Sequence, residues 1–406
     1  MKIAVCLKII QPRDGTSHFA MQLGQMLADA GHDVTMVAEQ VRSLDLRNST
    51  PGLSYITIHQ HRWESKSRHI YRIGDIFHEQ RFHVVFICAG LPVPDLERAF
   101  ALLPDGTALV PILGGDREHV YEPTQRTAAL WNVTVAESPR LQQTIQARTP
   151  GKPVRLLTTG IKHPSDAELA ERLPLSVPLR LLFVGRLAGG KNVLMLPKVL
   201  AACIRRGLPS TLTICGYGRD RGPLEQACYD EGVAHLVEFP EIPFQAGLYR
   251  AYRSHHVSLL TSKYHGEGLG LVLLEAQANG CVPVASRLPG VTDFTIEEGV
   301  TGLLAEVGNP DSFADQIVTM ADPERWHRFS RAGVARTRRL FTLEEMEREY
   351  GGLLKELHQG IYALSTPRSR LPRPHFRQRD YVPLMLNSIV DRLYHAAKRF
   401  RTSNPE

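Results

Sequence analysis

Nowhere in the 406 residues does an apolar run reach the eighteen or so positions that a membrane-spanning helix requires. The opening MKIAVCLKIIQPRDG sets a basic residue before an apolar stretch, but Lys8 interrupts that stretch and no small-residue cleavage site follows. It is expected to form a buried first strand and not a secretory leader. Cysteine is sparse and scattered, at Cys6, Cys88, Cys203, Cys215, Cys228 and Cys281, with no C-x-x-C spacing. That excludes a disulfide framework and a cysteine zinc site, and the runs VVFIC and LTIC fit buried thiols of a cytosolic protein. No G-x-S-x-G elbow, no Walker loop and no D-x-D pair occurs, which removes the usual signatures of a serine hydrolase, a P-loop enzyme and a metal-held diphosphate site. The body also lacks an excess of either charge. Residues 365–406 hold nine Lys/Arg and three Asp/Glu, which accounts for the whole net charge of +6, so residues 1–364 balance at 39 of each sign.

What is present is a pattern told twice. Short β-rich runs stand at KIAVCL, DVTMVA, YITI, HVVFIC, ALVPIL and NVTVA, with helical stretches such as HFAMQLGQMLADA, closed by Gly31, between them. A second series starts near Leu179 with LRLLFVG, a helix from about Val193 to Arg206, then TLTICG, LVEF, VSLLTS, CVPVAS and GLLAEV. Strands alternating with helices predict parallel sheets covered on both faces. The fold class is therefore α/β, two Rossmann-like doubly wound domains facing across a cleft, with ligands at the carboxyl ends of the strands. We place the first domain at 1–165, a proline-rich linker at 166–178, the second domain at 179–335 and a helical segment at 336–364 that returns toward the first domain. There Thr342 and Glu345 have capping-box spacing. A basic tail occupies 365–406. Its first part, STPRSRLPRPHFRQR, predicts a linker or loose arm, and Leu386, Ile389, Val390 and Leu393 then share a helical face.

Four clusters carry chemistry. In SKYHGEGLGLVLLEAQANG, Gly266, Gly268 and Gly270 permit tight turns, and a helix over 270–279 presents unpaired N–H groups suited to a phosphate. Glu275 sits in an apolar helix, where a carboxylate needs partners. Sugar hydroxyls would supply them, and so would a structural arginine or a backbone amide. In FVGRLAGGKN, Arg186 and Lys191 extend from a strand end and match phosphate oxygens, or form a solvated loop. CGYGRDRG is one residue longer than the dinucleotide fingerprint and reads as a turn lining the cleft. In IIQPRDGTSH, Gly15 permits close approach to a ligand and Thr16 or Ser17 can cap the helix. His59, His61, His255 and His256 lack metal-ligand spacing and read as surface or satisfied core histidines.

Glu267-x7-Glu275, preceded by G-R-L-x-x-x-K at 185–191 and C-G-Y-G at 215–218, resembles the family-4 retaining glycosyltransferases of the GT-B fold, across roughly residues 179–305. The N-terminal half resembles them loosely, through its strand–loop–helix opening and ADAGHDV. The resemblance implies that Arg186 and Lys191 clamp a donor diphosphate and that Glu267 contacts the transferred sugar. It implies phosphate and sugar contacts from the amides of Gly268, Leu269 and Gly270, a ribose contact from Glu275, a place for Gly15 near the phosphates, for Gly216 in the turn lining the donor cleft and for Glu241 and Ile242 near the nucleobase. No metal and no cofactor is implied, the donor being a substrate. Where the family often carries acceptor-facing histidines, this chain reads FICAG and PILGG. His119, a few residues on, is the substitute the sequence offers.

These features lead to a nucleotide-sugar-dependent, retaining glycosyltransferase acting on a cell-envelope glycan or lipid-linked acceptor. The expected protein is cytoplasmic, with no nucleic-acid partner. The basic tail either meets the anionic inner face of the cytoplasmic membrane or packs on the body. Two other readings stand beside this one: a binding protein that keeps the nucleotide cleft without turnover, and an NAD(P)-dependent oxidoreductase built on the Gly216 turn.

Overall fold

The computed structural model describes residues 1–11, 15–42, 50–88, 94–241, 246–263, 266–371, 373–374, 378–381 and 383. The first half runs β1 (Lys2–Ile10), α1 (Gly15–Asp29), β2 (Asp33–Val41), β3 (Leu53–Thr57), α2 (Lys66–Gln80), β4 (Val84–Cys88), α3 (Pro94–Phe100), β5 (Ala108–Leu113), α4 (Glu118–Arg126), β6 (Thr134–Ala136), α5 (Pro139–Arg148) and β7 (Val154–Leu156). The second runs α6 (Asp166–Ala170), β8 (Leu179–Val184), α7 (Leu196–Arg205), β9 (Ser210–Cys215), α8 (Arg221–Asp230), β10 (Val237–Glu238), α9 (Ala246–Arg253), β11 (Val257–Leu260), α10 (Leu271–Ala278), β12 (Val282–Ser286), α11 (Thr292–Thr295), β13 (Leu303–Ala305), α12 (Pro310–Thr319), α13 (Pro323–Leu340) and α14 (Leu343–His358).

Both sheets are parallel. Their strand orders are β3-β2-β1-β4-β5-β6-β7 and β10-β9-β8-β11-β12-β13. The central strands β4, β11 and β12 are buried at every residue, because helices cover both faces. Each order reverses direction beside its first strand, between β1 and β4 and between β8 and β11, which puts a ligand crevice at the carboxyl end of each sheet. β7, which the sequence pattern did not reveal, is three residues long and too short to show an alternation.

The connection between domains contains α6, closed by a complete capping box between Ser165 and Glu168. The chain then returns. Met346, Tyr350, Leu353 and Leu354 of α14 lie in the same apolar core as Ile3, Val5 and Phe86. Thr342 caps α14 by accepting from the Glu345 amide at 3.1 Å, but the Glu345 carboxylate turns to Arg348 in place of the reciprocal capping bond. A second strap joins the domains where the Ile161 amide donates to the Phe341 carbonyl at 2.9 Å.

The early tail is not a loose arm. Arg368 is 1% exposed, and its guanidinium donates to the carbonyls of Leu130 and Thr107 and to Asn132 Oδ1, while Ser369 bonds Asp105. Further on, Asp380 pairs with Arg98 at 3.2 Å. Proline-rich composition predicted freedom, whereas a buried arginine that meets four backbone or amide oxygens, the Pro104 carbonyl among them, ties this stretch to the N-domain. The amphipathic segment at 386–393 lies outside the described residues.

Candidate functional site between the two domains

The site starts from the carboxyl ends of β8 and β9. Gly185 ends β8 with φ +155°, and a Cβ on Gly216 would stand 2.0 Å from its carbonyl oxygen. A Cβ on Gly218 would stand 2.1 Å from the Leu187 carbonyl, so this pair of loops can approach only through glycine. The Leu187 amide donates to Tyr217, and the loop then closes a single 3-10 turn, Gly189–Lys191. Arg186 is exposed, and its guanidinium makes no hydrogen bond or ion pair among the described residues. Lys191 is largely buried, and its ammonium pairs with Glu267 Oε1. The same oxygen accepts from the Ser262 hydroxyl at 2.5 Å, which fixes the acid that stands 7% exposed.

Gly270, in the left-handed region at φ +79°, caps α10, and Gly280 follows its end at φ +74°. Gly268 meets the N-domain itself: a Cβ there would lie 2.4 Å from the Gly114 carbonyl oxygen. Beside it the Asp116 amide donates to the Glu267 carbonyl. Glu275, one turn and a half into α10, is half-buried with its carboxylate toward the cleft. No arginine or amide reaches that carboxylate among the described residues; the Tyr252 hydroxyl donates to it at 3.3 Å. Burial pushes Glu275 up to about 7, partly offset by that hydrogen bond, and raises the Tyr252 phenol well above its ordinary value.

These residues share one cavity of about 620 Å³, within the size range of small-molecule sites. Gly15, Arg186, Lys191, Gly216, Glu241, Glu267, Gly268, Leu269, Gly270 and Glu275 all line it. Ile242 lies outside the described residues. His119 does not line the cavity: it is exposed in the first turn of α4, where the helix turns its apolar side, Val120 and Tyr121, inward. His255 and His256 are core histidines bonded to Thr213, Ala251, Pro174 and the Arg180 amide. All six cysteines are buried and unpaired.

The structure adds residues that sequence reasoning missed. Thr16, His18 and Phe19 of α1 line the N-domain wall. So does Glu137, at the end of β6, 6% exposed and pushed up to about 7 by burial against one hydroxyl donor, Thr159. On the other wall Arg221 lies over the Phe239 ring at 3.8 Å, beside Pro240 and Glu241. The acid in VTVAES was a visible signal, since a carboxylate at the end of a buried strand is costly unless something uses it.

Residues 178–322 match the model of a family described as glycosyl transferases group 1. A D-inositol 3-phosphate glycosyltransferase of Corynebacterium urealyticum is 27% identical over 278 residues, 66% of this chain and 63% of that protein. The chain thus spans less than two thirds of the length of that relative, and 44% of the Corynebacterium glutamicum protein of the same name. Among solved structures, Anabaena Alr3699/HepE in complex with UDP and glucose superposes with a TM-score of 0.71 at 17% identity, covering 88% of this chain and 100% of that one. The lipopolysaccharide outer core galactosyltransferase WaaB, in its apo form, superposes with a TM-score of 0.69 at 17% identity, covering 88% and 99%. The whole architecture is the GT-B fold.

Proposed function

We propose that the protein transfers a sugar from a nucleoside-diphosphate sugar to a hydroxyl acceptor, with retention at the anomeric carbon. The observation that carries this is the convergence of Arg186, Lys191 and the glycine-rich entry to α10 on one cavity shared by both domains. Cleaving a glycosyl–diphosphate bond builds negative charge on the leaving oxygens and positive charge at the anomeric carbon. Fixed cations and amides stabilise the first, and they act best where water is excluded. In this reading Arg186 and Lys191 face the diphosphate, and Lys191 exchanges part of its pairing with Glu267 for the phosphate oxygens. Glu267 is then the acid beside the transferred sugar, and Glu275 accepts from the ribose hydroxyls. Phe239, Pro240 and Glu241 flank the base, and the acceptor enters from the N-domain side. No protein nucleophile is needed if the acceptor attacks from the leaving-group face and its proton passes to a diphosphate oxygen.

The UDP bound by HepE and the acceptors named for the relatives suggest the donor class and a cell-envelope setting. Thermal stabilisation by a panel of nucleoside diphosphates and their sugars tests the donor, and release of the diphosphate from the best donor tests turnover. Stabilisation by none of them sinks the reading. Stabilisation without any release favours a binding protein without turnover, consistent with the exposed position of His119. For the tail we propose contact with an anionic membrane surface by the basic segment beyond 383. Vesicle sedimentation with and without residues 384–406 checks it, and equal partitioning removes it.

A further inference from the structure

Glu137 is a buried acid of the cleft for which the donor site has no use. It stands at the carboxyl end of β6 in the N-domain, 6% exposed, and lines the cavity. Its Oε1 accepts from Thr159, at 3.3 Å. Its Oε2 has no hydrogen bond among the described residues, and it takes the space beside Gly114, where a Cβ would stand 3.2 Å away. Gly114 in turn touches Gly268, the neighbour of Glu267. The carboxylate is thus aimed into the cleft next to the point where the two domains meet, from the wall opposite the diphosphate cations.

The rest of that wall is neutral. Among the described residues its cavity lining includes no Lys or Arg, and burial lowers the pKa of His18, which favours the uncharged ring. Arg117 and Arg140 do not line the cavity, and Arg140 faces Asp116 at 3.5 Å. A phosphate seated against Glu137 would meet a carboxylate before any cation of the described wall, which is unfavourable in a water-poor site. A hydroxyl would instead supply the donor that Oε2 lacks.

We propose that Glu137 is the acceptor-binding carboxylate of this protein, and that it selects an uncharged, hydroxyl-bearing acceptor over a phosphorylated one at the group next to the reacting oxygen. The proposal rests on reading the cleft as a glycosyl-transfer site. It departs from the acceptor in the name of the inositol-phosphate relatives.

The test uses the full chain and the nucleotide sugar that stabilises it best. Diphosphate release is followed with water alone as acceptor, then with added myo-inositol, glucose and methyl glucoside, and with myo-inositol phosphate and glucose 6-phosphate. Glu137→Gln keeps the shape and removes the charge. The expected result is that neutral acceptors, or water if none is used, support turnover better than the phosphorylated ones. E137Q should raise the KM for the acceptor, or lower the water rate, about tenfold or more, with nucleotide affinity by calorimetry within about twofold of the parent. Equal or better use of the phosphorylated acceptors overturns the proposal, as does an unchanged E137Q. Loss of nucleotide binding in E137Q assigns the residue a structural role and overturns it too. Failure of every nucleotide to bind the parent chain sinks the glycosyl-transfer reading first, and this proposal with it.

Discussion

The C-domain wall of the cleft presents two cations, Arg186 and Lys191, and the glycine-lined entry to α10; the N-domain wall presents Gly15, Thr16, Gly114 and the acid Glu137. Both walls hang from the same strand order. The difference therefore lies in the loops at the strand ends and not in the scaffold. A wall of fixed positive groups suits a diphosphate whatever sugar it carries, while a wall of small residues and one carboxylate suits a particular hydroxyl. On the proposed reading, donor chemistry and acceptor choice are separated onto two domains, which touch at Gly268 and Gly114.

That separation can be broken by substitution. Lys191→Ala should have the largest effect: a loss in kcat of about a hundredfold or more, because a fixed donor facing the developing charge disappears. Steady-state kinetics on the best donor checks it, and a change confined to KM would show that the lysine binds ground state and transition state alike. Gly268→Ala places a methyl 2.4 Å from the Gly114 oxygen, so the domains must part. A fall in kcat of roughly ten- to a hundredfold is expected, with a smaller loss of nucleotide affinity, since the domains lose their relative position while the Gly268 amide, a proposed phosphate contact, stays in place. Equal losses in both would mean that the contact also shapes the donor pocket.

Arg368→Ala tests the N-domain away from the cleft. It leaves the Thr107 and Leu130 carbonyls and Asn132 without their buried donor, and about 2 kcal/mol of stability should go, read from the urea midpoint. Nucleotide affinity should not move. Glu275→Ala should weaken nucleotide binding about tenfold by calorimetry, while stability changes little, because one phenol hydrogen bond is all that holds the carboxylate. Unchanged affinity would remove the ribose role.

The effect that separates the two walls least is on pH dependence, because each wall carries one of the acids concerned. Glu137 and Glu275 titrate near 7 in the folded chain, above the ordinary carboxylate value, so between about pH 5 and 7 the folded state holds protons that the unfolded state has released. Stability of the nucleotide-free protein should therefore fall as pH rises through that window and level off above it. Replacing both acids with glutamine should flatten the profile. A profile that rises across the same window in the parent, yet flattens in the double variant, would reverse the sign assigned to these two groups.

The two walls also differ in how far the sequence disclosed them. Arg186, Lys191, Glu267 and Glu275 fall in two short stretches, each a strand end followed by glycine, and the resemblance of those stretches to a known family brought them together. The N-domain wall is gathered from α1, the end of β5 and the end of β6, some 120 positions apart, and none of these stretches brings more than two polar side chains to the cavity. His119 drew attention because histidine is chemically conspicuous, yet the phase of α4 turns it outward. Glu137 is in plain view in VTVAES but has no neighbour in sequence to give it meaning. The tail was misjudged for a related reason: proline content speaks of local stiffness, and only the carbonyls waiting at Pro104, Thr107 and Leu130 show where Arg368 is held.

The amino-acid sequence by itself determined the alternation of strand and helix, the two doubly wound domains, and the glycine-rich stretches that line the C-domain side of the cleft, because those depend on period, glycine placement and spacing over a dozen residues. The tertiary structure alone decided which residues face the cleft from the N-domain, that Glu275 has a phenol and no arginine as its partner among the described residues, and that α14 and Arg368 pack on the N-domain. Those are contacts between segments far apart in the chain, and local propensity carries no information about which distant surface a side chain will meet.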